Sequence, residues 1–483
     1  MFIRKLIATS ILASASLSAA YAGDIDVYFN HPVNAPAQQA NLETKIIDFI
    51  NSAQISVDLA VYDLDLPGIA NVLVAKKAQG LTVRFITDED NIAGENEEAI
   101  NILNAGDVPW IDDTENGSAG SKIQHNKFIV VDNARVLVAS ANFTQSGIHG
   151  DLDGEGNLIS DGNANHLVTV ESSQLANIYT TQFLQMWGDG PGGAKDSLFG
   201  LGKVDHQIET AYTDNENIRL DVQFTPQSPS LYTGSTLENL ENYVTAANTR
   251  IHTAQFVFSA QDVADKMKLR HDAGVEVQGV GDPSFFSRYY SEFMDMANTP
   301  KLNPNGAYET DSYTGAPDNP WSNPADVRIA NLNGGDKFHH KYWIIDDLVI
   351  TGSHNVSGSA AFGNDENVLV IHSAEVAAQF EGEFSRRYCE AGGSENCGSE
   401  SLPEGGTWEG VSFTGDEVAT VLDIVNQATL SELDIEAAMN ATAANNIIAA
   451  RTIADMDQLA AVPYVGAAAM QDLKDYIPTW EAK

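Results

Sequence analysis

His125-Asn126-Lys127-Phe128-Ile129-Val130-Val131-Asp132 and His339-His340-Lys341-Tyr342-Trp343-Ile344-Ile345-Asp346 share one spacing, H-x-K-x-x-x-x-D. Each is trailed by a Ser-x-Asn: Ser140 and Asn142 after the first, Ser353 and Asn355 after the second. Agreement in both motif and tail argues for a duplicated unit rather than coincidence. The β-branched and aromatic run behind each lysine predicts a buried strand. Alternate side chains share a face on a strand, so His125 lies with Lys127 and His339 with Lys341. His340 falls on the opposite face, where its loss is expected to be mild. Asp132 and Asp346 are expected to fix the turns that follow. An imidazole beside an ammonium suits a phosphate ester: lysine neutralises the non-bridging oxygens while histidine acts on phosphorus or on the leaving oxygen.

The duplication extends beyond these motifs. Asp26-Val27-Tyr28-Phe29-Asn30-His31-Pro32 echoes Asp221-Val222-Gln223-Phe224-Thr225-Pro226, and each precedes a Leu-Glu helix opening, at Leu42-Glu43 and Leu237-Glu238. A strand is predicted after each helix (Ile55 to Val61; Ile251 to Phe258), then a second helix and another strand, ending at Asp88 and at Asp282. Strands alternating with helices predict an α/β fold of two similar halves around mainly parallel, two-sided sheets.

The paired motifs resemble those of the phospholipase D superfamily, over roughly residues 24–390. The resemblance implies two α/β halves packed about a pseudo-twofold interface where the motifs meet. It also implies that one histidine attacks phosphorus, giving a phosphohistidine, while the other protonates the leaving group. His125 is the expected nucleophile and His339 the expected general acid. Lys127, Lys341, Asn142 and Asn355 are expected on the phosphoryl oxygens, with Ser140 and Ser353 in support. Gly352 and Asn364-Asp365-Glu366-Asn367 follow the family pattern, which implies that Glu366 orients an active-site histidine. The first half departs from it: Ala139 stands where glycine is usual, and Asn163-Ala164-Asn165 lacks the carboxylate.

Residues 1–22 read as a signal peptide, with Arg4-Lys5, an apolar stretch and Ala20-Tyr21-Ala22 as the cleavage site, so a secreted or periplasmic protein is expected. Cys389 and Cys397, the only cysteines, fit one small-loop disulfide in an oxidising compartment, against two free thiols. With 26 Lys and Arg against 67 Asp and Glu, the formal net charge is −41. That balance disfavours a non-specific grip on nucleic acid, which rests on cations meeting phosphates. It leaves phosphoester chemistry open at a local lysine pair.

Residues 23–205 and 206–397 are therefore the two catalytic halves. Residues 398–415, rich in Gly, Ser and Glu, read as a linker, and 416–483 as a small helical module. Around Gly466 that module resembles helix-hairpin-helix units of secreted DNA-uptake proteins, but it lacks their lysines apart from Lys474. An insertion at 283–324, carrying Phe285, Phe286, Tyr289, Tyr290, Phe293, Met294, Met296 and Trp321, reads equally as an apolar lid or an aromatic mini-core. Asp151, Asp153 and Glu155 resemble the start of a calcium loop whose twelfth position is Gly162 instead of a bidentate Glu. The choice there lies between a structural calcium and a solvated acidic loop; the expected chemistry requires no metal. The reading is a phosphodiesterase acting on phospholipid head groups at a membrane surface. A secreted endonuclease on the same scaffold is the alternative, and a non-catalytic binding protein the third. Oligomeric state is not legible.

Overall fold

The computed structural model describes residues 23–30, 41–114, 122–194, 196–204, 207–393, 406–451, 453 and 456–480. The expected signal peptide at 1–22 and Cys397 lie outside the described residues, so the Cys389–Cys397 pairing does too.

In the first half, β1 (Ile25–Phe29), α1 (Leu42–Asn51), β2 (Ser56–Val61), α2 (Pro67–Ala78), β3 (Thr82–Thr87), α3 (Glu97–Ala105) and β4 (Trp110–Asp112) precede the first motif. The motif strand β5 (Lys127–Val131) leads to β6 (Arg135–Ala139), the one-turn α4 (Gln145–Ile148), β7 (His166–Glu171) and the long α5 (Ser173–Trp187). The second half opens with an additional strand, β8 (Glu209–Tyr212). It then repeats the series: β9 (Arg219–Phe224), α6 (Thr236–Ala246), β10 (Arg250–Gln255), α7 (Gln261–Asp272), β11 (Glu276–Gly281), α8 (Glu292–Met296), β12 (Asp326–Ile329), β13 (Lys341–Ile345), β14 (Leu348–Gly352), α9 (Gly358–Phe362), β15 (Asn367–Ile371) and α10 (Ala374–Glu390).

The sheet orders make the duplication explicit: β1-β7-β6-β5-β2-β3-β4 and β8-β9-β15-β14-β13-β10-β11-β12, the second matching the first except for β8. The sheets are not mainly parallel. Only β2–β3–β4 and β10–β11–β12 pair in parallel, and the remaining pairs in both sheets are antiparallel. For β5–β6 and β13–β14 the reason is connection length. A motif strand joined to the next by two or three residues has no room for a crossover and must turn back. Asp132 and Asp346 make those turns in the left-handed region, at φ 56° and 50°. The Asp132 carboxylate accepts the amides of Gln54, Ile55 and Ser56, and that of Asp346 accepts those of Asn248, Thr249 and Arg250. Both aspartates therefore tie the far end of a motif hairpin to the neighbouring strand, as turn-fixing residues.

Each half has its own core, and a third apolar cluster joins them, built from Phe128, Tyr179 and Phe183 of the first half with Phe224, Tyr342 and Phe380 of the second. Helix α5 packs on β8 and α10 on β1, so the last helix of each half also covers an edge strand of the other. Cutting Phe380, which is fully buried, back to alanine should cost about 3–5 kcal/mol. The insertion resolves mainly as core: Phe286, Phe293, Met296 and Trp321 are buried with Phe258 and Trp343. At its edge Phe285 packs at 4.8 Å on Phe256, beside the second motif.

The 398–415 linker reading is corrected at its C-terminal end. There β16 (Gly406–Trp408) and β17 (Val411–Phe413) form a hairpin, because Trp408 and Phe413 join the apolar core of the terminal module. That core gathers α11 (Gly415–Gln427), α12 (Ala441–Ala449), α13 (Met456–Ala460) and α14 (Ala467–Trp480). Lys474, isolated in the sequence, is engaged, its Nζ donating to Ser412 O and pairing with Glu417 at 2.9 Å. The Glu409 carboxylate also stands beside Gly466.

Candidate active site

The two motifs meet by exchanging backbone hydrogen bonds. His125 N donates to Asp365 O and His339 N to Ala164 O, each at 2.9 Å, and the reciprocal amides Asp365 N and Ala164 N donate to Ile123 O and Lys337 O. Each histidine is thus held by the segment of the other half that precedes β15 or β7. The halves cannot slide without breaking both sets.

The side chains follow the same crossed plan. His125 Nδ1 lies 2.7 Å from Glu366 Oε2, and His339 Nδ1 lies 3.0 Å from Asn165 Oδ1. The histidines are 7% exposed and Glu366 and Asn165 fully buried. Glu366, implied by resemblance, is in place. The position of the missing carboxylate in the first half is taken by Asn165, which the family pattern gave no reason to name. Its amide is oriented by two further bonds, Nδ2 donating to Gly147 O at 2.9 Å and Oδ1 accepting from Ser140 Oγ at 2.9 Å.

Lys127 and Lys341 are both buried; each ammonium donates to the carbonyl of its own motif histidine, at 2.9 and 3.0 Å. They sit over the rings of Tyr62 and Phe256, at 5.1 and 5.3 Å. Neither aromatic carries a sequence signal; their roles follow only from the equivalent ends of β2 and β10. Burial lowers Lys127 to about 7, and burial followed by repulsion from Lys127 takes Lys341 well below its ordinary value. Burial, reinforced by the two lysines, also holds both histidines well below theirs. Burial raises Glu366. The resting site is a desolvated cluster of lysines and imidazoles around Glu366, with Asp63, Asp88 and Asp282 acting on the lysines from farther out, and an arriving phosphodiester anion would favour the charged lysines.

Asn142 and Asn355 each leave a buried side-chain oxygen without a hydrogen-bond partner among the described residues, an unmet need duplicated in the two halves. Ser140 and Ser353 are engaged with the protein itself. Ser140 Oγ accepts His166 N at 3.0 Å while donating to Asn165, and Ser353 Oγ accepts Asn367 N at 3.0 Å. They brace the loops that carry Asn142 and Asn355. The helices that follow are capped alike, by Thr144 and Ser357.

His340 faces away from the site, as alternation requires, but into a packed interface. Its Nδ1 lies 3.0 Å from His166 Nδ1 and its Nε2 3.1 Å from Glu383 Oε1. A mild effect of its removal is not expected from such a position. The acidic loop at Asp151, Asp153 and Glu155 closes on itself, Asp153 Oδ1 accepting the amides of Glu155 and Asn157 at 2.9 Å. Among the described residues no group of three or more His, Cys, Asp or Glu is placed to hold a metal ion.

The family profile described as "Cardiolipin synthase, PLD-like domain" matches residues 46–187 and again 240–388, which together exceed half of the chain. Among curated proteins, mitochondrial cardiolipin hydrolase of Xenopus tropicalis is 24% identical over 144 residues, covering 30% of this chain and 60% of that protein. Phospholipase D of Rickettsia bellii (strain RML369-C) is 25% identical over 142 residues, covering 29% and 60%. The chain thus spans about 60% of the length of these relatives. Phosphatidylserine synthase of Haemophilus influenzae Rd KW20 is 13% identical with a TM-score of 0.50, over 74% of this chain and 85% of that one, a likeness of fold. Two profile matches, one on each half and each enclosing a histidine–lysine motif, place the chain in the phospholipase D superfamily.

Proposed function

We propose that this protein is a secreted or periplasmic phosphodiesterase that releases phospholipid head groups through a covalent phosphohistidine. The observation that carries the reading is the crossed pairing of the two motifs, which gives one site two differently supported imidazoles and two buried ammonium groups. His125, donating Nδ1–H to Glu366, keeps its Nε2 lone pair for phosphorus. In the first step the His125 Nε2–P bond forms, the P–O bond to the leaving alcohol breaks, and His339, which takes up a proton to become the imidazolium when the phosphodiester anion binds, supplies from Nε2 the proton that alcohol takes. In the second step water attacks phosphorus, its proton passes to His339, and the N–P bond breaks. Lys127 and Lys341 neutralise the non-bridging oxygens, with the side-chain amide N–H groups of Asn142 and Asn355 donating to them, so the charge stabilisation requires no divalent ion.

The lipid reading is supported by the activities for which the two curated relatives are named, a cardiolipin hydrolase and a phospholipase D. The endonuclease alternative is favoured by the helix-hairpin-helix-like module and disfavoured by the net charge of −41 and by the engagement of Lys474. One assay separates them: purified protein in EDTA, offered phosphatidylcholine, phosphatidylethanolamine, cardiolipin and plasmid DNA side by side. Head-group release without nicking is the expected result. Nicking alone would replace the lipase with the nuclease.

A further inference from the structure

The two motif histidines are backed by different chemistry, and the difference lies at equivalent positions of the two halves. Glu366 and Asn165 each precede the corresponding strand, β15 or β7, and each accepts a hydrogen bond from the Nδ1 of the opposite half's histidine. One acceptor is a carboxylate; the other is an amide locked by Gly147 O and Ser140 Oγ so that its oxygen, not its nitrogen, faces the ring. An amide acceptor fixes the same Nδ1–H tautomer and ring orientation as a carboxylate does. It lacks the charge that would stabilise an imidazolium. The other groups around His339 are Lys341, whose Nζ is 3.2 Å from each of its ring nitrogens, Lys127, His125, the Ser140 backbone and the Phe256 ring. None of them supplies the missing negative charge.

Resting on the phosphodiesterase reading above, we infer that Asn165 is a positioning residue that assigns unlike roles to two otherwise equivalent histidines. It leaves His339 a ready proton donor to the leaving alcohol and a weak base toward water, while Glu366 supports the nitrogen of His125 as it acquires positive charge on bonding to phosphorus. The consequence is kinetic. Breaking the P–O bond, helped by an acidic His339, is favoured over resolving the N–P bond, which needs His339 as a base. The phosphoenzyme should therefore build up during turnover, and an alcohol or water of lowered proton affinity should discharge it faster.

The test uses the full chain with a chromogenic phosphodiester. Wild-type enzyme quenched in alkali during turnover should carry phosphate on the peptide containing His125; phosphate on the His339 peptide would overturn the assignment without any variant having to fold. In Asn165→Asp, the acidic limb of the kcat profile, where His339 loses the free nitrogen it needs as base in the limiting discharge step, should move up by about one pH unit, and the steady-state phosphoenzyme should fall several-fold. Asn165→Ala should lower kcat with no upward movement of that limb, and Glu366→Gln should slow phosphoenzyme formation instead of its discharge. An Asn165→Asp protein that is folded and active but shows an unmoved limb and unchanged phosphoenzyme refutes the inference. Absence of diesterase activity in the wild type, or its survival in His125→Ala, refutes the parent reading instead.

Discussion

Replacing the buried imidazole pair His166–His340 by the pair that stands at the equivalent place in the other half should remove one share of the acid sensitivity of the fold, the rest lying with the other histidines that burial lowers, His125, His339 and His354. The equivalent residues are Asn367 and Asn126, whose amides meet at 3.2 Å and do not titrate. Around the imidazoles stand Glu383, Arg386 and Arg387 of α10, Lys341 of β13, Thr351 of β14, and the rings of Phe29, Tyr342 and Phe380. Glu383 favours the charged form, but it is shared with both arginines. Burial dominates and takes His340 from 6.5 to about 4. The folded state therefore binds a proton less readily than the unfolded chain. Stability from this group is complete above pH 6.5 and is lost as pH falls through the window to 4. Each pH unit that separates titration in the folded and unfolded chains is worth about 1.4 kcal/mol, so the loss is about 2 kcal/mol at pH 5 and rises to about 3 kcal/mol below pH 4. His166, also lowered by burial, adds in the same direction. Urea unfolding of wild type and of His166→Asn/His340→Asn, followed from pH 7.5 to 4.5, should give free-energy curves that converge as pH falls. The offset at pH 7.5 reports lost packing, and the change in offset reports the imidazoles. Parallel curves across that range would show that burial of these rings does not set the acid limit.

His125→Ala and His339→Ala should each lower kcat/KM by on the order of 10³-fold, a barrier increase of about 4 kcal/mol, and the double variant should cost little more because the two act as a unit; near-additive losses would deny a shared site. Truncation after Gly405 should leave turnover of a short-chain phospholipid within a few-fold, since the terminal module has its own apolar core. The same truncation should change DNA retention little at physiological salt, whereas tight duplex binding lost on truncation would move the nuclease reading to first place.

The order of strands and helices is legible in the sequence because every element of the first half recurs in the second, and the motif histidines and lysines that the fold brings together are legible from spacing alone. Three features are not. Sheet direction depends on how few residues separate β5 from β6 and β13 from β14, and alternation of helices and strands by itself suggests crossovers instead. Asn165 reads as a lost carboxylate because a motif records residue type, while its function comes from a tertiary bond to Gly147 that fixes which amide atom faces His339. The roles of Ser140 and Ser353 are hidden for a related reason. A hydroxyl next to a site can serve the substrate or the backbone, and only the position of His166 N and Asn367 N decides.

A duplicated scaffold supplies two copies of each group, but a displacement on phosphorus needs one nucleophile and one proton donor. The symmetry must be broken somewhere, and here the differences lie one layer behind the reacting atoms. The motif histidines and lysines and the downstream Ser and Asn are the same in both halves, whereas the groups behind them differ: Glu366 against Asn165, the Asn126–Asn367 amides against the His340–His166 imidazoles, and Gln182 of α5 against Glu383 of α10. Support residues can diverge at low cost, because each changes the proton affinity or orientation of a reacting group without moving it. The acidic surface does not reach this layer, since the residues concerned are almost entirely buried. The sign of the overall charge therefore bears on which polyanions can approach the protein, while the division of labour between the histidines is set by Asn165 and Glu366 inside it.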